Sequence, residues 1–240
     1  MTKWRSIENV WCLWPSRPKG LIEMIGGSYL AASPHISYLK LLEALAKRNL
    51  AVHAWSYIPG FDHQSQANQA WKNLRHCKKI LKARVVDIPI SIRIGHSLGA
   101  KLHLLAPDAG RNSDGLISLC FNNYSLKDSI PILKNLAPKL LDQNEFNPSP
   151  KETLRFIAES YYQPRNLLIS FKDDKLDESS SLLKLLENRQ LDSSEILSLD
   201  GNHLTPISTG ISQNLFKDSA VNHKKAKHMN ILIDTIYNWI

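Results

Sequence analysis

The sequence has few cysteines, no long apolar run and none of the short loops that grip phosphate or metal. Its three cysteines, Cys12, Cys77 and Cys120, are widely spaced, odd in number and outside any CxxC pattern. That spacing excludes a disulfide framework and a paired-cysteine metal centre. Cys12 and Cys120 fall in apolar runs, where a free cysteine behaves as a small buried hydrophobe, so a reducing, cytoplasmic compartment is expected. No uncharged apolar stretch approaches the roughly 20 residues that span a bilayer. The opening MTKWRSIENVWCLWPSRP has neither the apolar core nor the small-residue cleavage site of a signal peptide. There is no GxxxxGK[ST] loop, no GxGxxG after a strand and no HExxH. Neither a nucleotide cofactor nor a metal is therefore expected.

What is present is an ordinary globular composition. The chain has 240 residues, 43% hydrophobic and 22% charged, enough for one domain with a core of its own. Thirty basic and 22 acidic residues give a formal charge of +8, but the basic residues are scattered. The densest group, His223-Lys224-Lys225-Ala226-Lys227-His228, reads as a solvated helix face, and no nucleic-acid partner is expected.

Strand-like and helix-like segments alternate along the chain. Strands are expected at 9–14, 20–25, 50–56, 88–94, 116–121, 167–171 and 195–199. Helices are expected at 37–48, 64–83, 99–107, 179–188 and 224–240. Between 122 and 164 the pattern is helical only, with a capping box at Ser149-Pro150-Lys151-Glu152. This predicts a single α/β domain over 1–240, a mostly parallel, doubly wound sheet with a helical cap inserted at about 122–164. In such sheets ligands bind beyond the carboxyl ends of the strands.

The stretch IRIGHSLGAKLHLL (92–105) holds the sharpest signal. Ser97 has the residue type of a helix cap. A cap alone leaves Gly95 and Gly99 unexplained, whereas a tight strand-to-helix elbow that presents a nucleophile needs small residues on both sides. A serine needs a base, and the base needs an orienting acid. Later strands end in Lys172-Asp173-Asp174-Lys175-Leu176-Asp177 and in Asp200-Gly201-Asn202-His203. His203 is the expected base. Asp174 is the first choice of acid and Asp173 the alternative, with Asp177 assigned to cap the following helix. An oxyanion hole requires backbone N–H groups from Leu98 and from the loop after an early strand, at Gly27 or Ser28. Asp62 and His63, after the 50–56 strand, are placed to meet substrate, although Asp62 also suits a helix cap.

GHSLG, the late aspartate loop and the late histidine resemble the α/β-hydrolase superfamily. The segments RPKGLIEMIGGSYLAASPHISYLKLLEAL, FDHQ, GHSLGAKLHLL, FNNYSLKDSIPIL, FNPSPKETLRFI, PRNLLISFKDDKLDESS and GNHLTP more closely resemble the DUF1350 family of cyanobacteria and plastid-bearing eukaryotes. That resemblance implies an α/β-hydrolase fold in a soluble protein, and it names no substrate. The superfamily implies a hydrolytic triad on Ser97, Asp174 (or Asp173) and His203. Ile25-Gly26-Gly27 departs from the usual His-Gly opening of the oxyanion loop.

The expected function is a serine hydrolase acting on a small-molecule acyl ester or thioester. An apolar lid from Ile130, Leu133, Leu136, Leu140, Phe156 and Ile157 would favour apolar acyl chains. The alternative is a catalytically silent protein on the same scaffold that binds a lipid, a pigment or a protein partner. The oligomeric state is left open.

Overall fold

The computed structural model describes residues 3–85, 87–133, 145–208 and 219–240. Its strands are β1 (Arg5–Ile7), β2 (Val10–Leu13), β3 (Gly20–Ile25), β4 (Leu50–Trp55), β5 (Ser91–His96), β6 (Gly115–Leu119), β7 (Asn166–Phe171) and β8 (Glu195–Leu199). They form one sheet in the order β1-β2-β4-β3-β5-β6-β7-β8. The β1–β2 and β2–β4 pairs are antiparallel, and every pair from β4 to β8 is parallel. Each residue of β3, β4, β5 and β6 is buried. That is why those segments are mostly apolar rather than alternating: a parallel sheet is covered on both faces.

The helices are α1 (Pro34–Ser37), α2 (Leu39–Lys47), α3 (His63–Lys82), α4 (Leu98–Leu104), α5 (Leu126–Leu133), α6 (Pro150–Ser160), α7 (Ser179–Leu186) and α8 (Ser219–Trp239). On one face Leu41, Leu45, Leu232 and Ile236 of α2 and α8 pack on Ile22, Met24, Val52, Ile92 and Ile94. On the other face Ala67 and Leu74 of α3 and Leu98 and Leu102 of α4 cover Leu21, Ile25 and Ala51. Ile157, Leu182 and Leu186 of α6 and α7 extend that layer over Leu116 and Leu168. Burial of each leucine or isoleucine contributes about 1.5–3 kcal/mol before entropy is counted.

Two differences from the sequence expectation have local causes. β5 starts at Ser91 rather than Ile88, because Pro89 has no N–H for the ladder. It runs on to His96, so the strand reaches Ser97 itself. β1 is a short, largely exposed edge strand, Arg-Ser-Ile, with no alternation to read. Ser149 caps α6, with Glu152 closing the capping box. Of the expected lid, Ile157 is instead core beside Leu104 and Phe121. Phe156 packs under α3 and α4. Leu136 and Leu140 lie outside the described residues. The Lys224–Lys227 segment is exposed on α8. No helix among the described residues is long and apolar enough to cross a membrane.

The carboxyl ends of β3, β4, β5, β6, β7 and β8 share one edge of the sheet. Gly26, Ser97, Cys120, Asp174 and His203 all follow at that edge.

Candidate active site

Ser97 joins β5 to α4. It occupies the N-cap position, yet its side chain makes no capping hydrogen bond, and its backbone sits at φ 54°, ψ −120°. An ordinary cap is extended, and a non-glycine residue held here stores strain. The flanking glycines explain how the elbow closes. A Cβ on Gly95 would lie 2.4 Å from the Ala100 Cα, and one on Gly99 would lie 2.0 Å from the Ile25 carbonyl oxygen. Helix α4 therefore turns back directly against its own strand and the end of β3, and any side chain at either position would force it away.

His203 reaches the same edge from the loop after β8. Gly201 opens that loop at φ +134°, where a Cβ would strike Thr205 Oγ1 at 2.3 Å. His203 Nδ1 lies 2.8 Å from Asp174 Oδ2. Asp174 is the carboxylate that meets the histidine, because Asp173 points to solvent. The Asp174 carboxylate, 1% exposed, also accepts the Leu176 N–H at 2.8 Å. Burial pushes the Asp174 carboxyl up, but its hydrogen bonds from His203 and Leu176 outweigh that and hold it below the usual range. Asp177 accepts the N–H and hydroxyl of Ser179 at the start of α7.

A buried relay connects His203 to the elbow. The Gly27 N–H donates to the Tyr38 hydroxyl (2.8 Å), which lies 2.8 Å from His96 Nδ1. His96 Nε2 lies 3.0 Å from the His203 carbonyl oxygen. A carbonyl only accepts, so Nε2 carries the proton, and Nδ1 accepts from Tyr38. Burial pushes the His96 imidazole down to about 3, which keeps it neutral in this tautomer. His96, adjacent to Ser97, thus pins the backbone of His203 over the elbow.

The same relay sets apart the two N–H groups that the sequence offers in the β3 loop. Gly27 has given its N–H to Tyr38. The N–H groups of Ser28 and Leu98 have no acceptor among the described residues. Ser97 Oγ accepts a hydrogen bond from Asn122 Nδ2 at 2.9 Å and makes none with His203. Because Asn122 donates, the serine proton remains free to be given to a base. Asp62 caps α3 through the Ser65 N–H at 2.8 Å. His63 is buried with its ring 4.4 Å from Phe146. Neither bonds to Ser97, Asp174 or His203.

Asn122, Tyr38 and Cys120 were not singled out from the sequence. Asn122 and Cys120 follow a strand end, which is a usable signal, whereas Tyr38 reads only as one residue of an apolar helix face. His96, Cys120 and His203 lie close enough for one atom of each to surround an ion, within 4.8 Å of one another. Both nitrogens of His96 and Nδ1 of His203 are already hydrogen-bonded, so His96 has no ring nitrogen left to ligate an ion.

A model of the family described as "Protein of unknown function (DUF1350)" matches residues 3–221. The chain belongs to that family. No protein of curated function matches its sequence. Among solved structures this DUF1350 chain is similar to esterase B from Lactobacillus rhamnosis, with TM-score 0.60, 14% identity, 94% of this chain and 81% of that one covered. It is similar to TT1662 from Thermus thermophilus, with TM-score 0.57, 14% identity and coverage of 100% and 98%. It is also similar to the thioesterase domain from the curacin biosynthetic pathway, with TM-score 0.50, 13% identity and coverage of 86% and 94%. At such identities these likenesses show the fold: the DUF1350 chain has the α/β-hydrolase fold.

Proposed function

We propose that the chain is a serine hydrolase that cleaves an acyl ester or thioester. The observation that carries the reading is the strained, uncapped Ser97 elbow beneath a histidine fixed twice, through its ring by Asp174 and through its backbone by His96. In the reaction Ser97 Oγ bonds to the acyl carbon and its proton passes to His203 Nε2. The Leu98 and Ser28 N–H groups hold the oxyanion, where each such donor contributes about 10²–10³ in rate. His203 then gives the proton to the departing alcohol or thiol as the C–O or C–S bond breaks. Water, deprotonated by the same nitrogen, releases the acid and restores Ser97. Asp174 stays ionised and holds His203 in the tautomer whose Nε2 accepts.

The test is labelling with a fluorophosphonate, with the modified residue located by mass spectrometry. Stoichiometric labelling at Ser97, absent in Ser97→Ala and His203→Ala, is the expected result. No labelling under conditions where a known serine hydrolase reacts would sink the reading and favour a ligand-binding role for the same residues.

A further inference from the structure

Lys101 lies one helical turn after Ser97, on α4. It is 1% exposed, and its Nζ has no hydrogen-bond partner among the described residues. A buried ammonium normally carries a carboxylate or several acceptors, because removing it from water costs several kcal/mol. The side chain of a helical residue leans toward the preceding turn, here the elbow. Its Nζ stands 5.9 Å from the Phe146 ring centroid, and the same ring stacks on His63.

Among the described residues two more buried polar atoms are without a hydrogen-bond partner, His63 Nδ1, whose ring stacks on the same Phe146, and Asn123 Oδ1. Asn123 follows Asn122, the residue bonded to Ser97. The carboxylates that act on Lys101 from neighbouring elements are Glu145 and Glu178. Each is held by main-chain N–H groups, Glu145 by Leu126 and Phe146 and Glu178 by Asn123. Neither forms an ion pair with Lys101. Burial pushes the Lys101 amine down to about 8, against the pull of the two glutamates, so it is still mainly protonated at neutral pH. His63, lowered to about 3 by burial and then by Lys101, is neutral.

Position in the sheet tells which end of a substrate would meet this group. His63 follows β4, while Asp174 and His203 follow β7 and β8, and these lie on opposite sides of β5 in the strand order. The leaving group departs toward the general acid, His203. An acyl group that extends to the opposite side of β5 would run toward His63 and Lys101.

We propose that Lys101 is the charge-recognition residue of the acyl pocket, and that the ester or thioester this chain cleaves carries a carboxylate on its acyl group. The proposal rests on the hydrolase reading of Ser97 and deepens it. It replaces an expected purely apolar acyl pocket with one that has a cationic end.

The experiment compares nitrophenyl half-esters of straight dicarboxylic acids, from succinate to suberate, with the methyl esters of the same compounds. A second series carries the carboxylate on the alcohol part. In parallel, the thermal stability of Ser97→Ala is followed with monomethyl and dimethyl esters of the same diacids, with and without Lys101→Met. Lys101→Gln serves as a second variant should the first fail to fold. Expected is at least a tenfold higher kcat/KM for one acyl-charged member over its neutral partner, falling to near parity in Lys101→Met. A half-acid should also raise the Tm of Ser97→Ala only while Lys101 is present. Turnover with no charge preference, with a preference unchanged in Lys101→Met, or with a preference for charge on the alcohol part overturns the proposal and leaves the hydrolase reading intact. No turnover and no probe labelling, but Lys101-dependent stabilisation, removes the hydrolase reading while keeping Lys101 as the anion site. Neither turnover nor stabilisation removes both.

Discussion

Two buried cations, one on β5 and one on the helix that follows it, are treated in opposite ways. Arg93, on β5, is 5% exposed, and Lys101, on α4, is 1% exposed. Arg93 makes a forked pair of bonds to Asp108, at 2.9 and 2.6 Å. Asp108 further accepts the Gly110 and Asn112 N–H groups, and Glu23 approaches Arg93 at 3.9 Å. That cluster closes on itself and ties the sheet to the loop after α4. Lys101 has no such partner among the described residues. A closed cluster needs nothing from outside, whereas an open one pays for its burial only when something binds. A cleft of about 330 Å³ between α3 and α4 is lined by Glu23, Arg93, Arg75 and Lys79 and by none of Ser97, Asp174 or His203.

The comparison is broken most severely by opening the closed cluster. Asp108→Ala leaves Arg93 buried with no forked partner, and the expected loss is about 3–5 kcal/mol of stability by urea denaturation. A loss below about 1 kcal/mol would mean that the pair is not the tie described. Burial pushes the Asp108 carboxyl up, but the Arg93 fork outweighs it and holds it far below the usual carboxylate range. Its stabilisation is therefore fully present above the unfolded carboxyl pKa of about 4 and lost as pH falls through the folded value.

Closing the open cluster should act in the other direction. Lys101 has its pKa lowered from 10.5 to about 8, which corresponds to about 3 kcal/mol of unfavourable burial at neutral pH. Lys101→Met keeps the apolar stem and removes the charge, so it should stabilise the protein by up to about 3 kcal/mol at pH 7. The sign with pH is fixed by the lowered value. The penalty is full below about pH 8 and relieved as pH rises toward 10.5, where the unfolded lysine also loses its proton. The stability gap between wild type and Lys101→Met should accordingly narrow across that window. Destabilisation by Lys101→Met at pH 7 would mark the lysine as a structural element.

The relay through Tyr38 sharpens the contrast from a third side, because it is closed and yet touches the site. Tyr38→Phe leaves the Gly27 N–H and His96 Nδ1 unpaired in the interior, at an expected cost of about 1–3 kcal/mol. With His96 free to change tautomer, the His203 backbone loses its anchor, and the rate of fluorophosphonate labelling at Ser97 should fall. Unchanged labelling at a temperature where the variant is folded would show that Asp174 alone positions His203.

Much of the architecture was legible. The apolar runs at 20–25 and 195–199 coincide with β3 and β8, and the Ser149 capping box with the start of α6. These are local signals, carried by backbone geometry and neighbouring side chains. The flanking glycines of the elbow were legible too, although what each one meets, Ala100 and Ile25, was not. β1 was missed because an exposed edge strand has little burial to record in its residues. Gly27 was weighed equally with Ser28 because nothing local says that a tyrosine eleven residues on takes its N–H.

By itself the sequence determined the alternating elements, the elbow at Ser97 and the order of serine, acid and histidine, because propensity, capping and close backbone approach are written in neighbouring residues. Only the tertiary structure decided that Asp174 rather than Asp173 reaches His203, that His96 and Tyr38 pin the histidine loop, and that Lys101 is buried without a partner among the described residues. Each of those outcomes depends on side chains from strands and helices far apart in the chain, where hydrogen bonding and desolvation are settled by distances that spacing along the sequence does not encode.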